Sequence, residues 1–348
     1  MTQDPEAKAK SARAAKPATE FGYALSSEEH PPDDLVANAR KAEEAGFSFA
    51  LISDHFHPWI DRQGESPFVW SVLGAIAQAT DRLVVGTGVT CPTVRIHPAI
   101  IAQAAATVAG LMPGRFFLGL GTGENLNEHI LGANWPALHV RTEMLEEAVD
   151  VIRQLWRGDV VNHRGRHYTV QDARIYSLPP SLPPIVLAAG GPKAARQAAQ
   201  LGEGIIGTGP DPSLLSAYSG AGGDGPRYGQ VTVCWAATES AAKRTAHEWW
   251  PTVAIRGQAS QELPNPAHFE QLAAGISADQ VADAVPCGPD PERHLAKVRE
   301  YLDAGFDHVY LHQIGPDQEG FLRFAEQELL PILKGVRGAS TQAPKAGS

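Results

Sequence analysis

Four stretches of the chain bring together residue types that carry chemistry. The first is Ser53-Asp54-His55-Phe56-His57-Pro58-Trp59. Histidine changes protonation nearest neutrality and a neighbouring acid can orient its ring, so His55 beside Asp54 is a candidate general base. The second runs from Gly119 to Glu128. Its Gly121 and Gly123 let backbone approach a bulky planar or phosphorylated ligand, and Glu124 projects a carboxyl after them. It lacks the G-x-G-x-x-G spacing of a dinucleotide fingerprint. The third, Ala188-Ala189-Gly190-Gly191-Pro192-Lys193, sets small residues ahead of a helix start, whose free N–H groups suit an anion such as phosphate. The fourth, 86–93, ends in small residues, Gly88, Val89 and Cys91 among them, against which a flat ring can lie. Each has a plain alternative: a loop histidine bonded to backbone, a turn with a helix-capping glutamate, or a simple turn.

Other chemistries fit less well. His55-x-His57 at a strand end resembles the metal pair of amidohydrolase-type barrels, but those carry it on the first strand and an Asp after the last, whereas this chain has His312-Gln313 there. No metal site is expected. No G-x-S-x-G nucleophile turn occurs. Cys91, Cys234 and Cys287 are far apart with no C-x-x-C, which suggests neither a disulfide framework nor a structural zinc, and a reducing cytoplasm as the setting.

The elements that must position these stretches follow from alternation. Short β-rich runs at 21–25, 48–53, 83–89, 115–120, 185–188, 204–207, 230–236 and 308–312 alternate with longer amphipathic ones. A helix over 33–44 stops at Gly46, and one over 139–156 aligns Leu145, Val149, Ile152 and Trp156 on one stripe. This predicts an α/β fold, a (β/α)8 TIM barrel, whose strand C-terminal ends gather the four stretches on one face. Residues 20–336 read as one barrel domain, with insertions near 158–184 and 251–291 over that face. An N-terminal arm, 1–19, and a tail, 337–348, carry too few large apolar side chains to order themselves.

At 348 residues with 43% hydrophobic and 20% charged, the chain can bury a large core. Its net charge of −10 opposes non-specific binding to nucleic acid or anionic membranes, and no apolar run approaches the roughly 18 residues of a membrane span. A small-molecule substrate is the expected partner.

In combination, 53–59, Gly121-Thr122-Gly123-Glu124 with Asn127, and 188–192 resemble the F420-dependent glucose-6-phosphate dehydrogenase family of the luciferase-like barrels, from about Phe21 to Leu333. The resemblance implies coenzyme F420, a deazaflavin hydride carrier, in the barrel mouth and a homodimer. It implies Asp54 touching the coenzyme, His55 as the base that takes the hydroxyl proton, Trp59 lining the reacting centre, and Glu124 as the acid. Gly88, Val89 and Cys91 would form the bulge under the ring; Asn127 and the Ala188-Ala189-Gly190-Gly191 turn would hold ring and phosphate-bearing tail. At the family's three phosphate-binding cations this chain has Asp211, Ser260 and Ala284, with Arg256 or Arg293 as conceivable substitutes. A neutral alcohol, sugar or ketone is therefore expected in place of glucose-6-phosphate. The rival readings are an FMN-dependent monooxygenase of the same architecture and a non-catalytic coenzyme carrier.

Overall fold

The computed structural model describes residues 19–339 other than Arg256; the arm over 1–18 and the last residues, 340–348, lie outside the described residues. The strands β1 (Glu20–Leu25), β2 (Phe49–Ile52), β3 (Val84–Thr87), β4 (Phe116–Leu120), β7 (Ile185–Ala188), β8 (Gly204–Gly207), β9 (Arg227–Val233) and β10 (His308–Gln313) close into one parallel barrel. The order around it is β1-β10-β9-β8-β7-β4-β3-β2. The remaining pair, β5 (Val161–Arg164) and β6 (Thr169–Ala173), is an antiparallel hairpin beside it.

Seven barrel strands lie where alternation places them. β9 begins three residues before the expected 230, because Arg227 and Tyr228 pair with Ile205 and Ile206 of β8. The preceding Gly225-Pro226 reads as loop, and the extension is decided by neighbouring strands. At the other end Trp235 leaves the ladder: its N–H donates to the Gln313 side chain at 2.8 Å.

Parallel strands are buried on both faces, so alternate side chains serve two different cores. Phe49, Leu51, Phe117, Val186, Ile206, Tyr228 and Tyr310 fill the interior. Phe117 stacks on Tyr228 with centroids 4.8 Å apart, and Phe49 meets Tyr228 edge-on at 5.3 Å. Two glycines admit these rings: a Cβ on Gly22 would sit 2.4 Å from the Phe49 ring, and one on Gly86 2.1 Å from Phe117. Gly86 thus serves packing and not a ligand. The intervening residues Ala50, Ile52, Leu118 and Leu120 face the helical layer. In it, α1 (Pro32–Ala45) ends at Gly46 with φ 96°, and α5 (Leu138–Leu155) buries Leu145, Val149 and Ile152.

The Pro-rich stretch after α8 (Glu239–Trp249) is helical. A 3-10 turn over Pro251–Ala254 precedes α9 (Ala259–Glu262), α10 (Pro266–Ala273), α11 (Ala278–Ala284) and α12 (Pro291–Ala304). Pro251, Pro266 and Pro291 each occupy the first turn of a helix, where the missing N–H has no partner to lose. At the C-terminal end α14 (Leu330–Ala339) carries helix past residue 336, the expected limit of ordered chain.

Candidate active site

At the C-terminal mouth of the barrel lies a cavity of about 310 Å³, lined from every barrel strand or the loop that follows it. His55 and Trp59 come from the β2 loop, Gly88 and Val89 from the end of β3, Glu124 from the β4 loop, and Ala188, Ala189 and Gly190 from the end of β7. Ser26 and Glu28 after β1, Gln230 in β9, Tyr310 and His312 in β10, Trp250 just after α8 and Gln261 of the insertion also line it. The 251–291 insertion therefore does reach the mouth. The 158–184 insertion contributes no described residue to the lining; it braces the β3 loop through Tyr168, whose hydroxyl donates to the Pro92 carbonyl at 2.9 Å.

Behind His55 sits a carboxylate. Glu28 Oε1 lies 3.3 Å from His55 Nδ1, and the His57 carbonyl oxygen lies 3.3 Å from the same nitrogen. Two acceptors converge on Nδ1, so that nitrogen carries the proton. Glu28 is 3% exposed, and its Oε2 accepts from Ser53 Oγ at 2.6 Å and Ser26 Oγ at 3.1 Å. Burial pushes the Glu28 carboxyl up, yet the His55 imidazole, the Ser53 hydroxyl and its own backbone amide hold it below its ordinary value. A second such pair adjoins it: His312 Nε2 is 3.2 Å from Glu29 Oε2, whose other oxygen accepts from the Gly315 N–H at 2.8 Å. The topology explains both pairs. β1 lies between β2 and β10, so adjacent glutamates in its loop reach a histidine on either side.

Asp54, Cys91, Asn127 and Gly191 stand outside the lining. Asp54 accepts from Arg95 Nη2 at 2.8 Å and from Thr90 Oγ1 at 2.7 Å, and Arg95 also bonds Glu128, by N–H at 2.7 Å and Nε at 3.5 Å. This buried group ties the β2, β3 and β4 loops together. Burial raises the Glu128 carboxyl, against the pull of Arg95. Asn127 Oδ1 accepts from the backbone N–H of Phe56 and His57, at 2.9 and 3.1 Å, and so shapes the loop that carries His55. Cys91 packs under Gly123, whose φ of 73° and 2.4 Å Cβ clearance from Cys91 Sγ both require glycine. The two histidines of His55-x-His57 part company: His57 Nδ1 bonds the Leu126 carbonyl at 2.8 Å, away from the cavity wall.

The wall suits a flat coenzyme. The Gly88–Val89 peptide is cis. A Cβ on Gly121 would come within 2.7 Å of Val89 Cγ2, so glycine there keeps that wall thin, whereas Cβ atoms on Gly190 and Gly191 would meet nothing within 4 Å. Gly191 gives α6 (Pro192–Leu201) no side-chain cap, which leaves its first N–H groups free for an anion.

Residues 17–308 match the family described as luciferase-like monooxygenase. The chain is 37% identical over 327 residues to an F420-dependent glucose-6-phosphate dehydrogenase of Microbacterium testaceum, covering 90% of this chain and 97% of that one. It is 36% identical over 329 residues to that of Mycobacterium avium, covering 90% and 98%. The chain belongs to the F420-dependent glucose-6-phosphate dehydrogenase family. Among solved structures, an F420-dependent secondary alcohol dehydrogenase in complex with an F420-acetone adduct superimposes with TM-score 0.83 at 27% identity, over 91% of this chain and 99% of that one. The coenzyme F420 dependent tetrahydromethanopterin reductase of Methanopyrus kandleri shares the fold, with TM-score 0.73 at 20% identity over 91% and 99%. The relatives that define the family are named F420-dependent dehydrogenases, and this chain is an enzyme of that kind.

Among the described residues no Lys or Arg lines the cavity. Asp211 caps α7 (Pro212–Gly220) through the Ser213 N–H, Ser260 bonds the Gly257 carbonyl, and Ala284 ends α11 beside a different cleft. Arg293 is not a substitute cation. It pairs with Glu239 at 3.0 Å in that other cleft, and Arg256 lies outside the described residues. Sequence reasoning missed Glu28, Glu29, Trp250 and the cavity role of His312. The first two had a signal, since Ser26-Ser27-Glu28-Glu29-His30 directly follows a strand, the same criterion that picked out His55.

Proposed function

We propose that the protein transfers a hydride between coenzyme F420 and a neutral substrate, from the hydroxyl-bearing carbon of an alcohol or sugar or, in reverse, to the carbonyl carbon of a ketone. The observation that carries this is the convergence of His55 and Glu124 on one cavity, with the Glu28 carboxylate at 3.3 Å from His55 Nδ1. Gly88, Val89, Ala188 and Ala189 would hold the ring, and Gly190 with the start of α6 the phosphate-bearing tail.

Bound F420 supplies the two-electron carrier. With Nδ1 protonated and anchored, His55 offers Nε2 as the base for the substrate hydroxyl, and the Glu28 charge stabilises the imidazolium that results. Trp59, its ring centroid 5.1 Å from that of His55, limits water at the same place. Glu124 supplies the balancing proton from its carboxyl, and in the reverse direction the two exchange roles. Asp54 and Asn127 act indirectly, by fixing the loops that bear His55 and Glu124. Fixed positions contribute much of the barrier reduction in such a site.

Neutral substrates follow from the lining. A phosphodianion here would lack cationic partners, each charge-assisted bond being worth about 1.5–3 kcal/mol, and would face the Glu28 carboxylate.

His55→Ala and Glu124→Gln should each lower alcohol oxidation by about 10²-fold or more, while F420 binding, followed by fluorescence quenching, changes little. Unchanged turnover in both variants would remove the proposed acid–base pair. A tight stoichiometric complex with FMN, and none with F420, would favour monooxygenase chemistry.

A further inference from the structure

Cys234 and Cys287 are 53 positions apart (287 − 234 = 53), yet they face each other across a parallel β-bridge. The Cys234 N–H donates to the Pro286 carbonyl at 3.0 Å, and the Gly288 N–H donates to the Cys234 carbonyl at 3.0 Å. Backbones so paired run about 4.8 Å apart with facing side chains on one side. That spacing lies within the roughly 4.4–6.8 Å between Cα atoms that a disulfide spans.

Their surroundings differ. Cys234 is fully buried, and its Sγ donates to the Ala242 carbonyl at 3.2 Å. Cys287, 3% exposed, forms part of the wall of a surface cleft of about 460 Å³ with Lys243, Arg293 and Lys297. The adjoining Cys234 thiol, together with the charges of Lys243 and Arg293, holds the Cys287 thiol below its ordinary value despite burial. The same contact, with burial, pushes Cys234 up. Cys91 is bonded instead to Thr93, and burial raises it.

We propose that Cys287 and Cys234 form a redox-active dithiol that reacts with low-molecular-weight disulfides and closes to a cystine. The Cys287 thiolate attacks one sulfur of the small disulfide; the S–S bond breaks and the departing thiolate takes a proton. Cys234 then gives up its proton and attacks the Cys287 sulfur, displacing the second small thiol. Two protein thiols are oxidised and one small disulfide is reduced to two thiols. The bond joins the end of β9 to the chain returning from α11, closing the base of the excursion that carries Trp250 and Gln261 to the cavity wall.

Incubation of the native full-length chain with glutathione disulfide tests this. The free-thiol count, read after denaturation, should fall from three to one, with a peptide linking Cys234 to Cys287, and dithiothreitol should restore all three. Cys234→Ser should stop at a glutathione adduct on Cys287; Cys287→Ser should keep both remaining thiols. Circular dichroism checks that the variants fold, and if either does not, the thiol count and peptide map of the unsubstituted chain decide. Three thiols persisting in the native protein, a cystine that forms only after unfolding, or a linkage through Cys91 would overturn the proposal.

Discussion

A histidine becomes a base of defined tautomer when its second nitrogen is committed, and Glu28 does this for His55. Because its carboxyl is held below the ordinary value, it remains ionised as pH falls through the usual carboxylate range. Its favourable contribution is present above its unfolded value and is lost only as pH drops through the lower folded one. Glu28→Gln keeps a hydrogen-bond acceptor at that place but removes the charge that stabilises the imidazolium. It should therefore lower kcat by about tenfold or more while F420 affinity changes little. An unchanged kcat would reduce Glu28 to a packing role. The placement of His55, Trp59 and Glu124 at the cavity was legible in the sequence because each lies in a loop that leaves a barrel strand. Asp54 and Asn127 look like ligand contacts by type and position, and only the Arg95 and backbone partners show them turned toward the loops. The pairing of Glu29 with His312 escaped because 283 positions separate them.

Among elements, the barrel strands were readable since burial on both faces produces apolar runs, and the helices since one face repeats. What local pattern does not show is neighbour dependence. β9 starts early because β8 and β10 offer partners, and the prolines of the 251–291 stretch begin helices where composition suggests coil. Glycines in strands likewise lack a local explanation. At Gly119 of β4, a Cβ would lie 1.8 Å from the Thr87 carbonyl oxygen, a backbone atom that cannot swing away. Thr87 Oγ1 also donates to the Gly119 carbonyl at 2.7 Å, locking β3 to β4 behind Val89. Gly119→Ala should then cost about 1–3 kcal/mol or more, seen as a lower midpoint in urea unfolding with an unchanged slope. A midpoint within error of the parent would show that the two strands separate more easily than their packing indicates.

For the whole molecule, charge and fold act at different levels. The barrel sets where chemistry occurs but not which substrate is taken. Among the described residues no helix is long and apolar enough to cross a membrane, and the net charge is −10. Inside the cavity the Glu28 carboxylate is in the lining, with no described Lys or Arg beside it. The proposed preference for an uncharged substrate rests on that lining. The most direct measurement is the reduction of oxidised F420, followed at its deazaflavin absorbance band, by a panel of neutral secondary alcohols, free sugars and glucose-6-phosphate. Saturable reduction by a neutral member, abolished in His55→Ala, with at most trace rates on glucose-6-phosphate, is the predicted result. Robust saturable turnover of glucose-6-phosphate, or no reduction by any neutral member, would contradict it.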